Sequence, residues 1–170
     1  MGGNPVIITH VRTETDADAI RALVPVFFSW VRARYPDHAA NIDTYIATQN
    51  IDGQMRNLLT LFAPPDADCL LARLDGVPVG MVMTKPHSPG VCEMNRMFVK
   101  DSARGHGVGK ALAAEIISTA KTLGYSRMVL SAGPLHTEAL AIYRNLGFTV
   151  DATLPDTGAG DVEVRMVLDM

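Results

Sequence analysis

The sequence predicts an α/β chain of mixed α+β type: one mixed sheet with helices on both faces, in a single domain. Three observations carry that reading. Extended apolar runs alternate along the chain with segments of helical periodicity, so strands and helices are interleaved. The pair Asp75-Gly76 separates two apolar runs, a strong short-range hairpin signal that demands antiparallel neighbours. Further on, strand–helix–strand units replace hairpins, and such units bring parallel strands into a sheet.

The elements follow in order. Val6-Ile7-Ile8-Thr9-His10-Val11 is a β-branched run and the first strand. Thr15-Asp16-Ala17-Asp18 opens a helix, its acidic residues suiting the positive end of the dipole. Ile20, Leu23, Val24, Phe27, Phe28 and Val31 then recur at helical spacing as far as Arg34-Tyr35-Pro36. That periodicity assigns Phe27, Phe28, Trp30 and Tyr35 to the core. Residues 42–62 are expected to hold one or two helices, with Asp52-Gly53 as the break. Residues 69–74 and 77–83 form the hairpin, Pro86, Pro89 and Gly90 close it, and residues 91–99 are the next strand. Over residues 107–123, Val108, Leu112, Ile116 and Ala120 recur every four positions, with Ala113 and Ile117 widening the stripe. Gly124 caps that helix. A short buried strand at 127–131, a helix at 136–146 stopped by Gly147, and a strand at 148–153 follow. A turn over residues 155–160 leads into an alternating strand at 162–168.

Composition removes several classes of function. The 170 residues suit one core that needs neither disulfides nor structural metal. A net charge of −3 is the wrong sign for a duplex-binding domain, so no nucleic-acid partner is expected. Cys69 and Cys92 have no CxxC neighbourhood and read as reduced, buried small hydrophobes. His10, His38 and His87 have no partners at ligand spacing, so no metal is expected. The start Met1-Gly2-Gly3-Asn4-Pro5-Val6 has neither the basic-then-apolar form of a signal peptide nor the Ser or Thr that myristoylation needs at Val6. No apolar run approaches the roughly 20 residues of a membrane helix. The expectation is a soluble cytoplasmic protein with no membrane partner.

The chemistry concentrates between Glu93 and Lys110, where a strand runs into a glycine-rich turn and then directly into a helix. Gly105, Gly107 and Gly109 let the backbone approach a ligand, and the unpaired N–H groups of a helix start carry about half a positive charge. That makes an anion site suited to phosphate. Arg96, Lys100, Arg104 and Lys110 face only Asp101 in this stretch, a local excess of +3 inside a chain of −3. A P-loop fails twice, because its first glycine would fall on Arg104 and Ala111 follows Lys110. A dinucleotide fingerprint fails because its last glycine would be Lys110 and no acidic residue lies on the next strand. What fits is Arg-x-x-Gly-x-Gly, as Arg104, Gly107 and Gly109.

With its context, that motif resembles the GNAT superfamily of acetyl-CoA-dependent N-acetyltransferases. Glu93-Met94-Asn95-Arg96-Met97-Phe98-Val99 resembles the strand before that family's pyrophosphate loop. Ala139-Leu140-Ala141-Ile142-Tyr143-Arg144-Asn145-Leu146-Gly147-Phe148 resembles its Ala-x-x-x-Tyr-x-x-x-Gly-Phe helix and strand. The resemblance implies one domain over residues 1–170, on a twisted, mostly antiparallel sheet of about six to seven strands. It implies acetyl-CoA as cosubstrate, with backbone groups of Met97, Phe98 and Val99 pairing with the pantetheine arm. Arg104, Gly105, His106, Gly107, Val108, Gly109 and Lys110 would hold the pyrophosphate. Tyr143 matches the tyrosine beside the CoA sulfur that protonates the leaving thiolate. The chain departs from the pattern at His136, where the family usually has Asn; an imidazole there can bond the pantetheine or its sulfur.

An alkylammonium of pKa about 10.4 costs about 4.6 kcal/mol to deprotonate at pH 7, so a base or water chain must help. Glu93 is the candidate base, its alternative being a solvated strand residue paired with Arg96 or a hairpin neighbour. The resemblance also places the first helices on the acceptor side, within reach of Tyr35, Asp37 and His38. The expected acceptor is a small-molecule or protein amine, and the expected assembly a monomer or homodimer. A non-catalytic CoA-binding sensory module on the same fold is the alternative, and a nucleotide-binding regulatory domain ranks behind both.

Overall fold

A computed structural model describes residues 5–151, 153 and 163–170. The expected turn at 155–160 and the start of the last expected strand, at 162, lie outside the described residues, as does the N-terminal segment 1–4. The elements are β1 (Val6–His10), α1 (Glu14–Arg34), α2 (Ala39–Thr48), α3 (Ile51–Arg56), α4 (Leu58–Leu61), β2 (Asp68–Leu74), β3 (Val77–Ser88) and β4 (Val91–Val99). They continue with α5 (Val108–Thr122), β5 (Arg127–Ala132), α6 (Thr137–Asn145), β6 (Thr149–Val150) and β7 (Val164–Asp169). The strands form one sheet in the order β1-β2-β3-β4-β5-β7-β6. Every pairing is antiparallel except β4 with β5. Among the described residues, no helix is long and apolar enough to cross a membrane.

The central strands are covered on both sides, which is why they read as continuous apolar runs rather than alternating ones. Along β2, Leu70 and Ala72 pack under α5 while Cys69 and Leu71 pack under α1. The stripe expected on α5 is the one that docks: Val108, Leu112, Ile116 and Ala120 are each 1% exposed or less. Burying each large member contributes about 1.5–3 kcal/mol. On the other face Ile20, Leu23, Val24 and Phe28 of α1 meet Met81, Met83 and Phe98, with Ile51, Met55 and Leu58 completing the cluster. Both cysteines are free and buried.

The local chemistry is visible at several boundaries. Thr13 caps α1, its Oγ1 accepting the Asp16 N–H at 3.2 Å. Asp75 (φ 54°) and Gly76 (φ 75°) both take positive φ, as a two-residue turn matched to strand twist requires.

Four expectations need correction. The helical stretch 42–62 breaks at Asn50 and Asn57, not at Asp52-Gly53, which lies inside α3. Asn50 sits in the left-handed region and its side chain accepts the Gly53 N–H at 3.3 Å. A Cβ on Gly53 would fall 2.3 Å from Asn50 Nδ2, so this glycine accommodates the cap rather than ending the helix. β3 runs through Pro86 to Ser88, because Pro86 lies past Thr84, the last residue paired to β2, where a missing donor is tolerated. β6 is only two residues long: Asp151 Oδ1 accepts from Thr153 N (2.9 Å) and Thr153 Oγ1 (2.6 Å), curling the chain off the sheet. Finally β7 extends to Asp169, which pairs with Arg127.

Candidate active site

Two hollows meet on one edge of the split between β4 and β5. These strands pair in parallel only from Val91–Arg127 to Met94–Leu130. Beyond that point β4 keeps β3 on one side and has no strand on the other among the described residues.

The first hollow is a groove of about 340 Å³ over the start of α5. Gly107 is the helix N-cap at φ 75° and, lacking a side chain, offers no cap of its own. The first N–H groups of α5 therefore have no intrahelical or side-chain acceptor, which leaves them directed at the groove. Nothing lies within 4 Å of a Cβ built on Gly107, so it is glycine for its backbone conformation and not for space. Gly109 is glycine for the opposite reason: a Cβ there would meet Ile142 Cδ1 at 3.0 Å, so its hydrogen lets α5 sit against α6. Met97, Phe98, Val99, Arg104, Gly105, Gly107, Val108, Gly109, Lys110 and His136 all line the groove, with Trp30 and Glu138. The Phe98 side chain points away, into the α1 face of the core, so only its backbone faces the groove.

Trp30, assigned to the core by periodicity, forms part of the groove wall instead. Arg34 stands 4.6 Å and Arg104 5.1 Å from its ring centre. Each guanidinium also reaches Glu138 at 3.5 Å. This stack joins α1, the loop after β4 and α6 at the mouth of the groove.

The second hollow is a cleft of about 200 Å³ under α1 and α2. Phe27, Phe28, Tyr35, His38 and Tyr45 line one side, and Glu93, Asn95, Arg96, Ser131, His136 and Tyr143 the other. Its shape depends on a bulge in β4. Met83 pairs with Asn95 and Met81 with Phe98, so Arg96 and Met97 together oppose the single residue Val82. Arg96 takes φ 51° at this point. Cys92 and Met94 point under α5, and strict alternation would send Arg96 there too. The bulge turns it to the cleft beside Glu93 and Asn95, a re-aiming that bulges perform.

Within the cleft, Glu93 Oε1 accepts from Asn95 Nδ2 at 3.0 Å. Tyr143 is 4% exposed and packs its ring 5.7 Å from Phe148. Burial pushes its phenol well above the ordinary 10, so the hydroxyl keeps its proton at neutral pH. His136 lines both hollows, as do Met97 and Ala139. Its Nδ1 lies 3.2 Å from the Gly133 carbonyl and 2.8 Å from Tyr35 Oη. A carbonyl only accepts, so the first contact puts the proton on Nδ1 and leaves the Nε2 lone pair free to accept. Burial, reinforced by the charges of Arg34 and Arg104, lowers the imidazole below its usual value and keeps it neutral. Tyr35 Oη in turn accepts the Leu135 N–H at 2.8 Å, and a Cβ on Gly133 would fall 2.1 Å from that oxygen.

The predicted residues thus gather, with exceptions. Glu93 and Tyr143 share the cleft rather than the groove. His106 and Asp37 line neither hollow. Of the four cations counted on the glycine-rich stretch, only Arg104 and Lys110 line the groove, Lys100 lines neither, and Arg96 faces the cleft. Sequence reasoning missed Arg96 as a cleft residue because the bulge leaves no mark in the pattern of residue types. Among the described residues, no group of three or more His, Cys, Asp and Glu side chains is placed to hold a metal ion.

Residues 25–148 match the model of the acetyltransferase (GNAT) family. An uncharacterized N-acetyltransferase of Schizosaccharomyces pombe is 37% identical over 102 residues, 59% of this chain and 63% of that protein. The uncharacterized N-acetyltransferase YjgM of Escherichia coli is 30% identical over 129 residues, 74% of this chain and 75% of its own length. In fold, the chain is similar to the PaiA N-acetyltransferase of Thermoplasma acidophilum, crystallised with coenzyme A. That similarity has a TM-score of 0.72 at 17% identity and covers 98% of this chain and 99% of the other.

Proposed function

This chain belongs to the GNAT acetyltransferase family, and from that premise we propose that it transfers an acetyl group from acetyl-CoA to an amine by direct attack in a ternary complex. The observation that carries the reading is the junction of the two hollows. A groove of unpaired main-chain donors and a side-chain cleft share Met97, His136 and Ala139, with the protonated hydroxyl of Tyr143 on the cleft side. The coenzyme A in the PaiA structure supports the choice of cosubstrate.

When bound, acetyl-CoA supplies an activated acyl carbon. The chain's own residues do the rest. The amides at the start of α5, with Arg104 and Lys110, meet the pyrophosphate charge. The free edge of β4 at residues 97–99 pairs with the pantetheine arm, and His136 Nε2 accepts from one of its amide N–H groups. In the cleft, Glu93 or a water chain ending on it takes the proton from the ammonium. The amine nitrogen then bonds to the acyl carbon, the carbon–sulfur bond breaks and the thiolate takes the Tyr143 proton, while the surplus proton on the new amide nitrogen returns through water to the Tyr143 oxygen.

Thiol release from acetyl-CoA, followed across a panel of primary amines, tests this. Amine-dependent release with matching N-acetylated product is expected. Tight acetyl-CoA binding with only background hydrolysis on every amine would overturn it and leave a CoA-binding module.

A further inference from the structure

Arg96 stands in the wall of the cleft with no ion pair at contact distance among the described residues, although the Glu93 carboxylate acts on it from farther off and Glu163 lines the same cleft. Its Nη2 donates to Gln54 Oε1 at 2.8 Å and its Nη1 approaches Met83 Sδ at 3.5 Å, both neutral and one of them weak. Its Nε is buried with no partner, and so is Oδ1 of the adjacent Asn95. No carboxylate lies within ion-pair distance of the guanidinium among the described residues. A guanidinium in a dry wall is costly unless something negative compensates it. The backbone adds to the cost, because a left-handed residue inside a strand is strained and persists where the surroundings hold it for a purpose. The bulge brings this charge into the cleft instead of the core.

The geometry points to a carboxylate on the acceptor as the missing partner. A planar guanidinium fork matches a carboxylate's two oxygens. Glu93, on the same strand and facing the same cleft, offers the opposite charge for the ammonium. The acceptor is therefore an amine that also carries a carboxylate, as a free amino acid does, with Arg96 and Glu93 reading its two ends. This assignment rests on the acetyl-transfer reading for its chemistry, but its binding consequence does not.

The test pairs L-amino acids with their α-carboxamides, which keep the amine and lose the negative charge. Wild-type protein is expected to favour the acid of at least one pair by about 10- to 100-fold in kcat/KM, the range of a charged hydrogen-bonded contact. Arg96→Lys should reduce that ratio, and Arg96→Asn, which tolerates the left-handed backbone, should bring it close to one. Equal losses on acid and amide would overturn the proposal and make Arg96 a brace for α3 through Gln54. So would a wild type that does not distinguish them.

Calorimetry of the same pairs on CoA-loaded protein reads binding without turnover. If amino acids bind through Arg96 but no amine is acetylated, the acetyl-transfer reading fails and the carboxylate site stands. Acetylation of amides as fast as acids fails the carboxylate site alone.

Discussion

The groove over α5 and the cleft under α1 are built by different means, and on the proposed function they would hold their ligands differently. The groove works with main chain: its glycines free the backbone, its amides carry the partial charge, and only Arg104 and Lys110 add full charges. The cleft works with side chains: Glu93 and Arg96 come from β4, Tyr143 from α6 and His136 from the turn before it. On the proposed function, a main-chain site would be tied to a cofactor whose diphosphate does not vary. A side-chain site can be re-specified one residue at a time while the groove stays as it is. This is a physical basis on which one fold serves many acceptors.

That contrast predicts where each substitution should be felt. Tyr143→Phe should produce the largest effect, lowering turnover by roughly 10²–10⁴ while acetyl-CoA affinity by calorimetry holds. The hydroxyl has no hydrogen-bond partner among the described residues, so folding should hardly change. A turnover within a few-fold of wild type would mean that the thiolate leaves unassisted and that the cleft does less chemistry than its contents suggest.

Gly107→Val should act on the groove alone. A β-branched residue at φ 75° costs about 1–3 kcal/mol of backbone strain, so acetyl-CoA affinity should drop by roughly 10- to 100-fold as the loop shifts to relieve it. Open space around the Cβ means that packing contributes nothing to this loss. Unchanged affinity would break the distinction, since the loop would then not be gripping through its backbone.

The smallest effect belongs to His136, one of the residues that line both hollows. His136 has a folded pKa below its ordinary 6.5, so the unfolded chain takes up the proton first as pH falls. Its contribution to stability is present above pH 6.5 and is lost as pH drops through the lower folded value. In thermal melts across that acidic range, His136→Asn should show a flatter dependence of Tm on pH than the wild type. Parallel curves would mean that the imidazole titrates as if exposed.

How much of this the sequence revealed follows from the same difference. The hairpin at Asp75-Gly76 and the stripe on α5 were legible because turn chemistry and period are local properties. The glycine-rich turn before α5 was legible because Gly105 and Gly107 fill left-handed positions that favour glycine. The three-way break of residues 42–62 was not, because Asn50 starts α3 through a side-chain bond that the sequence does not distinguish from an ordinary helical asparagine. Arg96 was misread for a like reason: counted with the phosphate-facing cations, it turns away at a bulge defined only by register against β3. Trp30 had helical spacing that fits the core, yet its ring also meets two guanidiniums, Arg34 one turn on in α1 and Arg104 from the loop after β4.

The split between β4 and β5 has a price beyond catalysis. The edge of residues 97–99 turned away from β3, which has no strand partner among the described residues, is a template that any extended chain can extend, including a strand from another copy during synthesis or stress. The bulge at Arg96 twists this stretch away from flatness, and the walls of the groove admit a thin flexible arm more readily than a peptide with side chains on both faces. An acetyltransferase of this kind should therefore resist self-association best when its cofactor is plentiful, with the metabolite acting as a guard on the exposed edge.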